Sequence, residues 1–247
     1  MKFTSLTSRF MVWFVVAALL PLALFGYLSL LQHEAELRGE ILNRMSRLAD
    51  KKTLQINTYL AERSQDTQLL ARSRLAEEAM SDLSRAYARY GADSAEYRRA
   101  AKPFERNFAA YIGEDVLFYD VFLITPQGEI IYTHKHEPDF ATNLINGPYR
   151  ESQLAQAFHE SRMVLESSIS GFEHYPPSNA PAAFIAAPII RDGALLGVVA
   201  FQMDTQRIYQ VAMDNIGLGA TGETVLAKLA RAGEAMVVAP LRHDPRA

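Results

Sequence analysis

From Phe10 to Leu31 the chain runs for 22 residues without a single charged side chain. A helix of that length rises about 33 Å at about 1.5 Å per residue, which matches the roughly 30 Å hydrocarbon core of a bilayer. Pro21 and Gly26 interrupt the run, and membrane helices tolerate both. Lys2 and Arg9 precede it, whereas His33, Glu34 and Glu36 follow it. By the positive-inside rule the N-terminus, residues 1–9, is expected in the cytoplasm, residues 10–32 in the membrane and residues 33–247 outside. A cleaved signal peptide is the alternative. Its apolar region is usually only about 7–15 residues long and ends in small residues, and Ser29-Leu30-Leu31-Gln32-His33-Glu34-Ala35 makes a poor cleavage site. The expectation is therefore an uncleaved, single-pass anchor in the plasma (inner) membrane.

The remaining composition excludes more than it assigns. A net charge of −3 argues against a nucleic-acid partner. With no cysteine, disulfides, thiolate metal sites and cysteine nucleophiles drop out. Residues 34–75 contain one glycine, Gly39, and no proline, and Leu37, Ile41, Met45 and Leu48 are spaced as one face of a helix. That face either packs along its own domain or also pairs two copies of the chain as a homodimer. A second helix is expected to stop at Gly91, and Ser94 to cap a third that kinks or breaks at Pro103. Residues 33–114 thus read as a helical region.

At Asp115 the period changes. Residues 117–134 and 182–204 each read as two apolar runs around a turn, Pro126-Gln127-Gly128 and Arg191-Asp192-Gly193 respectively, and so as antiparallel hairpins. Between them lie a short helix from about Tyr149 and a long polar loop ending at Ala182. A short helix around Thr205–Ile216 and a final hairpin follow. The fold class expected is α+β: a transmembrane helix, a long helix, then an antiparallel sheet with its helices segregated to one face or end.

The order YDVFLITPQGEIIYT, YPPSNAPAAFIAAP, GLGATGET resembles the double Cache sensor domains of bacterial transmembrane receptors, and the likeness runs from residue 10 to the end. It implies a PAS-like, membrane-distal module over residues 115–216, with residues 217–247 opening a second, membrane-proximal module. The rest of that module, a return membrane helix and an output domain are expected beyond the 247 residues. The implied function is an extracytoplasmic input that binds a small solute, without an enzyme of its own. Family members that bind amino acids carry an Arg-x-Trp-Tyr cluster, which this sequence lacks, and an Asp where Gln202 stands here.

The candidate ligand-binding residues are Tyr119, Tyr149, Tyr175, Ser178, Asn179, Phe184 and Asp204. Aromatics on strands usually belong to a core, yet a pocket also needs apolar walls with a few polar groups, so Tyr119, Tyr132, Tyr149, Tyr175 and Phe184 admit both readings. Tyr175, Ser178, Asn179 and Asp204 resemble ligand-facing positions of the family. Tyr175 would supply a ring wall and a hydroxyl, its loss leaving the fold intact. Asp204 either orients a cationic or hydroxylated solute or caps the helix beginning near Thr205. His134 and His136, with Glu137 and Asp139 nearby, could hold a metal, but the plainer reading is a polar strand end, and neither metal nor cofactor is expected. GLGATG lacks the Lys-Ser or Lys-Thr of a phosphate loop, and no nucleophile motif is present. A membrane-anchored protein-interaction module on the same fold is the competing function.

Overall fold

The structure is a computed structural model that describes residues 6–112, 118–229, 235–237 and 241–242. Lys2, the change of period at Asp115 and the turn of the last hairpin lie outside the described residues. The chain divides into two compact units, residues 1–51 and 52–247.

The first unit is the N-terminal part of helix α1, Leu6–Ala71. Its stretch Arg9–Ser29 has a mean hydropathy of 2.2 and is long and apolar enough to cross a membrane. Phe10, Trp13, Phe14 and Phe25 are exposed within the unit.

The second unit starts at Lys52 with the end of α1, followed by α2 (Arg74–Tyr90) and α3 (Ala95–Ala109). Ser73 and Ser94 cap these two helices through hydrogen bonds to Ala76 N (3.2 Å) and Tyr97 N (3.0 Å). Gly91 ends α2 at φ +76°, the left-handed region that glycine enters without a Cβ clash. Ala76, Ala79, Met80, Leu83 and Ala86 form the buried stripe of α2, and Tyr97, Ala101, Phe104 and Phe108 that of α3. Helix α3 runs on through Pro103 without the break that was one of the two expected outcomes. Pro103 and Arg99 both lie on the exposed face, so the carbonyl that loses its partner faces water, while the buried stripe holds both halves against the sheet.

The sheet has the order β2-β1-β7-β6-β3, antiparallel throughout: β1 Phe118–Ile124, β2 Ile130–Thr133, β3 Ser168–Ile169, β6 Phe184–Arg191 and β7 Ala194–Met203. Asp192 and Gly193 turn β6 into β7 with φ +53° and +79°, the left-handed pair of a tight hairpin turn that twists with the strands it joins. The expected short helix is α4, Gln153–Val164, which starts four residues later than Tyr149 because Ser152 caps it through Ala155 N. The long polar loop proves to contain edge strand β3 and a small hairpin, β4 (Glu173–Tyr175) with β5 (Ala180–Ala182). Helix α5 (Gln206–Met213) and hairpin β8 (Ala227–Leu229) with β9 (Ala235–Val237) complete the described elements.

The helices do not gather on one side. α2 and α3 cover one sheet face, where Val121, Leu123, Val199 and Phe201 meet Met80, Leu83 and Phe108. α4 and Tyr175 cover the other, where Phe122, Ile124, Phe184, Val198 and Ala200 meet Leu154 and Phe158. Covering both faces is what makes the central strands read as continuous apolar runs. It also leaves no room at Gly197, where a Cβ would sit 2.6 Å from the Ile124 carbonyl oxygen and collide with the Met80 side chain. Gly197→Ala is therefore expected to lower stability by about 1–3 kcal/mol in chemical denaturation. An unchanged midpoint would mean that α2 shifts at no cost.

Candidate ligand-binding site

A cleft of about 410 Å³ opens where β1 begins and β7 ends, lined by Phe118, Tyr119, Lys135, Pro181, Gln202, Met203, Asp204 and the first turn of α5 up to Tyr209. Sheet register builds its floor. Gln202 pairs with Asp120 on one side and Phe184 on the other, so the three side chains share one face. That face is the one under α4, and Asp120 and Gln202 are 0 % and 1 % exposed.

Asp120 ties the strand ends together. Its Oδ1 accepts from the backbone N–H groups of Val121 (2.7 Å), His134 (2.9 Å) and Lys135 (3.1 Å). Its Oδ2 is buried and finds no hydrogen-bond partner among the described residues. Burial pushes the carboxyl up to about 7, against those backbone donors and with help from the charge of Asp139. Asp139, also buried, accepts a hydrogen bond from the Tyr175 hydroxyl at 2.8 Å. Burial pushes it up to about 6, the Tyr175 bond opposing and Glu137 assisting. Tyr119 donates to Glu137 at 2.6 Å, and Lys135 lies 4.9 Å from the centre of the Tyr119 ring. Burial and the bond to Glu137 push the Tyr119 hydroxyl up to about 12.

The seven sequence-derived candidates separate into groups. Tyr119 and Asp204 line the cleft. Ser178 reaches it indirectly, accepting from Gln202 Nε2 at 3.0 Å. Asn179 is exposed at the tip of the β4–β5 turn, with φ +48°. Tyr175 and Phe184 are fully buried, their rings 4.9 Å apart and edge-to-face, and Tyr149 is 6.0 Å from Tyr175. These three belong to the core under α4. Tyr132 belongs to the opposite core, 5.1 Å from Phe108. Asp204 Oδ1 accepts from Gln206 N at 2.9 Å, a local bond at the start of α5 in the manner of a cap. Thr205, at the cap position itself, makes no such bond.

Asp120, Lys135 and Gln202 were not among the candidates. The signal that could have found Asp120 and Gln202 is a polar side chain inside a strand whose neighbours are buried on both faces. Among the described residues no three His, Asp or Glu side chains converge as a metal site. Glu137 and Asp139 are engaged by tyrosine hydroxyls instead.

No family model matches the sequence, and no curated protein does. Solved structures do resemble the fold. The sensor domain of the histidine kinase DctB from V. cholerae superposes with a TM-score of 0.51 at 20 % identity, over 69 % of this chain and 58 % of that one. This chain thus spans little more than half of the DctB domain. The ligand-binding domain of the Pseudomonas aeruginosa PAO1 amino acid chemoreceptor PctC, in complex with GABA, gives 0.50 at 14 % identity, over 80 % of this chain and 74 % of that one. The ligand-binding domain of the Pseudomonas fluorescens chemoreceptor CtaA, in complex with L-serine, gives 0.50 at 14 % identity, over 81 % and 73 %. The fold is that of Cache-type sensor domains, α+β and PAS-like, as the sequence motifs imply. These neighbours are sensor or ligand-binding domains rather than catalytic ones.

Proposed function

We propose that this chain is the extracytoplasmic ligand-sensing input of a membrane signal-transduction receptor, anchored by the apolar part of α1 with its N-terminus in the cytoplasm. The observation that carries this reading is the cleft, whose floor is a buried amide, Gln202, with an oxygen that finds no hydrogen-bond donor among the described residues. A buried acceptor left without a donor costs stability, so its place in a cleft suits a bound solute. The solved neighbours in complex with GABA and L-serine support a small molecule as the occupant.

Helix α5 gives the route for a signal. Its first turn lines the cleft, and its last carbonyls are held by Lys52 of α1, whose Nζ donates to Ala212 O (3.2 Å), Asp214 O (2.5 Å) and Thr224 Oγ1 (2.7 Å). A solute that prefers one position of α5 therefore biases the helix that leads to the membrane. Any kinase, methyl-accepting or cyclase output would lie on a further part of the receptor. A homodimer through α1 would let two such inputs act together.

The test uses the full chain in lipid nanodiscs, with thermal shift against amino acids, amines, dicarboxylates, sugars and nucleosides. One chemical class should raise the transition temperature, and binding to that class should be lost when the cleft is filled by Ala180→Trp, Ala180 being one of the residues that line it. A response to none of the classes would count against the sensor reading.

A further inference from the structure

We infer that Asp120, Gln202 and Ser178 form a proton-driven switch beneath the cleft, in which a neutral Asp120 donates to the Gln202 side-chain carbonyl and loss of that proton turns the Gln202 amide over. This deepens the sensing function proposed above and rests on it, adding the proton as a second input.

Strand pairing builds the first half of the switch. Asp120 of β1 and Gln202 of β7 lie opposite each other on one sheet face, where Cβ atoms are about 4.5–5.5 Å apart, and both side chains are buried. Each keeps one buried oxygen that finds no partner among the described residues, Asp120 Oδ2 and Gln202 Oε1. Buried polar atoms are nearly always satisfied in native proteins, and two acceptors satisfy each other only when one carries a proton. That proton has one place on the carboxyl. Asp120 Oδ1 already accepts from the N–H groups of Val121, His134 and Lys135, which leaves Oδ2. A neutral Asp120 is thus a donor, and a single bond to Gln202 Oε1 serves both oxygens.

The amide supplies the second half. Gln202 Nε2 donates to Ser178 Oγ at 3.0 Å, and Ser178 Oγ donates to Tyr175 O at 3.4 Å. That polarity suits a neutral Asp120. An ionised Asp120 needs a donor instead, and half a turn of the Gln202 amide provides one. Nε2 then donates to Asp120 Oδ2, and the Ser178 hydroxyl leaves its long bond to Tyr175 O and donates to Gln202 Oε1. The three side chains therefore have two discrete, paired arrangements, and one proton selects between them. Gln202 lines the cleft, and Ser178 lies in the β4–β5 turn, next to Ala180 and Pro181, which also line it. The proton thereby sets the polarity of the bond that ties this hairpin to the cleft floor.

The surrounding charges bring the switch into the neutral range. Burial pushes the Asp120 carboxyl up to about 7, with the charge of Asp139 assisting. On the same loop Glu137 accepts from Tyr119, Lys135 sits over the Tyr119 ring, and His136 packs against Phe140. Burial lowers His134, so no imidazolium beside Asp120 holds the carboxyl ionised. From β4, Tyr175 is committed to Asp139. Tyr132 of β2 and Glu105 of α3 act from the opposite face. Across the cover, Arg162 of α4 donates to Pro126 O beyond the far end of β1, Glu160 accepts from Ser168 on edge strand β3, and His159 lies beside Phe158.

Nuclear magnetic resonance on the full chain in nanodiscs, with labelled aspartate carboxyls and glutamine side-chain amides, tests this with the proton as the only probe. From pH 4 to pH 9 the Asp120 carboxyl should titrate near 7, and the Gln202 amide signal should move with the same midpoint. In Asp120→Asn the three backbone donors hold the oxygen in place, so the new NH2 group donates to Gln202 Oε1 at every pH. The Gln202 signal should then stay at its low-pH position. Gln202→Leu keeps a side chain of similar size and takes more from the ionised carboxyl, which loses a charge-assisted bond, than from the neutral one. The Asp120 midpoint should therefore rise by about one pH unit. Asp139→Asn removes a neighbouring negative charge and should lower the midpoint while the Gln202 response persists. The inference is overturned if the Gln202 signal does not follow the Asp120 titration, or if it still titrates in Asp120→Asn. It is also overturned if Asp139→Asn abolishes the response, which would place the proton between the two carboxyls. Each of these results leaves the sensing function standing, because that function is judged by solute binding alone.

Discussion

Asp120→Ala is expected to destabilise the folded domain by about 3 kcal/mol or more, one of the largest effects open to a single polar substitution in this chain. Three backbone N–H groups, that of Val121 buried and those of His134 and Lys135 part-buried, lose their common acceptor at once, and each bond left unmade in a buried setting costs about 1–3 kcal/mol. Removal of a buried carboxyl offsets part of that. Asp120→Asn keeps an acceptor oxygen and removes the ionisable group, so it separates the two contributions. The Asp120 carboxyl, at about 7 in the fold, stands above its unfolded value of 3.8. Between those values the native state holds more protons than the unfolded chain, so stability is fully present below about pH 4 and is lost as pH rises through 7. Over that window the loss is on the order of 4 kcal/mol, at about 1.4 kcal/mol per pH unit. Asp139, raised to about 6, adds to the fall in the same direction. Urea denaturation of wild type and Asp120→Asn between pH 4 and pH 8 should therefore give curves that diverge, the variant being flatter. Parallel curves would show that folding does not raise the Asp120 carboxyl above its unfolded value.

Tyr175 gives the second large effect. Tyr175→Ala should cost about 3–5 kcal/mol, because the ring is fully buried against Phe184 in the core under α4. This revises the expectation that Tyr175 could be truncated with the fold intact, since a ring with no exposed surface is part of what holds α4 and the β4–β5 hairpin to the sheet. Tyr175→Phe keeps the ring and removes only the hydroxyl that serves Asp139, at about 1–3 kcal/mol. Thermal unfolding of the two variants checks this. Similar losses from both would place the stabilisation in the hydroxyl, and a folded Tyr175→Ala with altered ligand affinity would return Tyr175 to the binding site.

The residues of this chain determined the features that depend on near neighbours. A run of 22 uncharged residues marks a helix long and apolar enough to cross a membrane. Gly91 and Ser94 mark a helix end and a helix start because capping involves atoms within four positions of each other. Asp192-Gly193 specifies a hairpin because only the local backbone has to adopt positive φ. With the order of the motifs, that sufficed for an antiparallel α+β sensor fold. Tertiary structure alone decided which face each strand residue took and what covered it. Asp120 and Gln202 became neighbours because β1 lies beside β7 in one particular register, and a slip of one residue would send both to the opposite face. Tyr175 and Phe184 became core, and Tyr119 a cleft wall, according to where α4, α5 and the β4–β5 hairpin came to rest. Pro103 left its helix unbroken because its freed carbonyl faces water while its neighbours are packed. Each of these outcomes depends on pairing between segments far apart in the chain, an energy that no window of neighbouring residues contains.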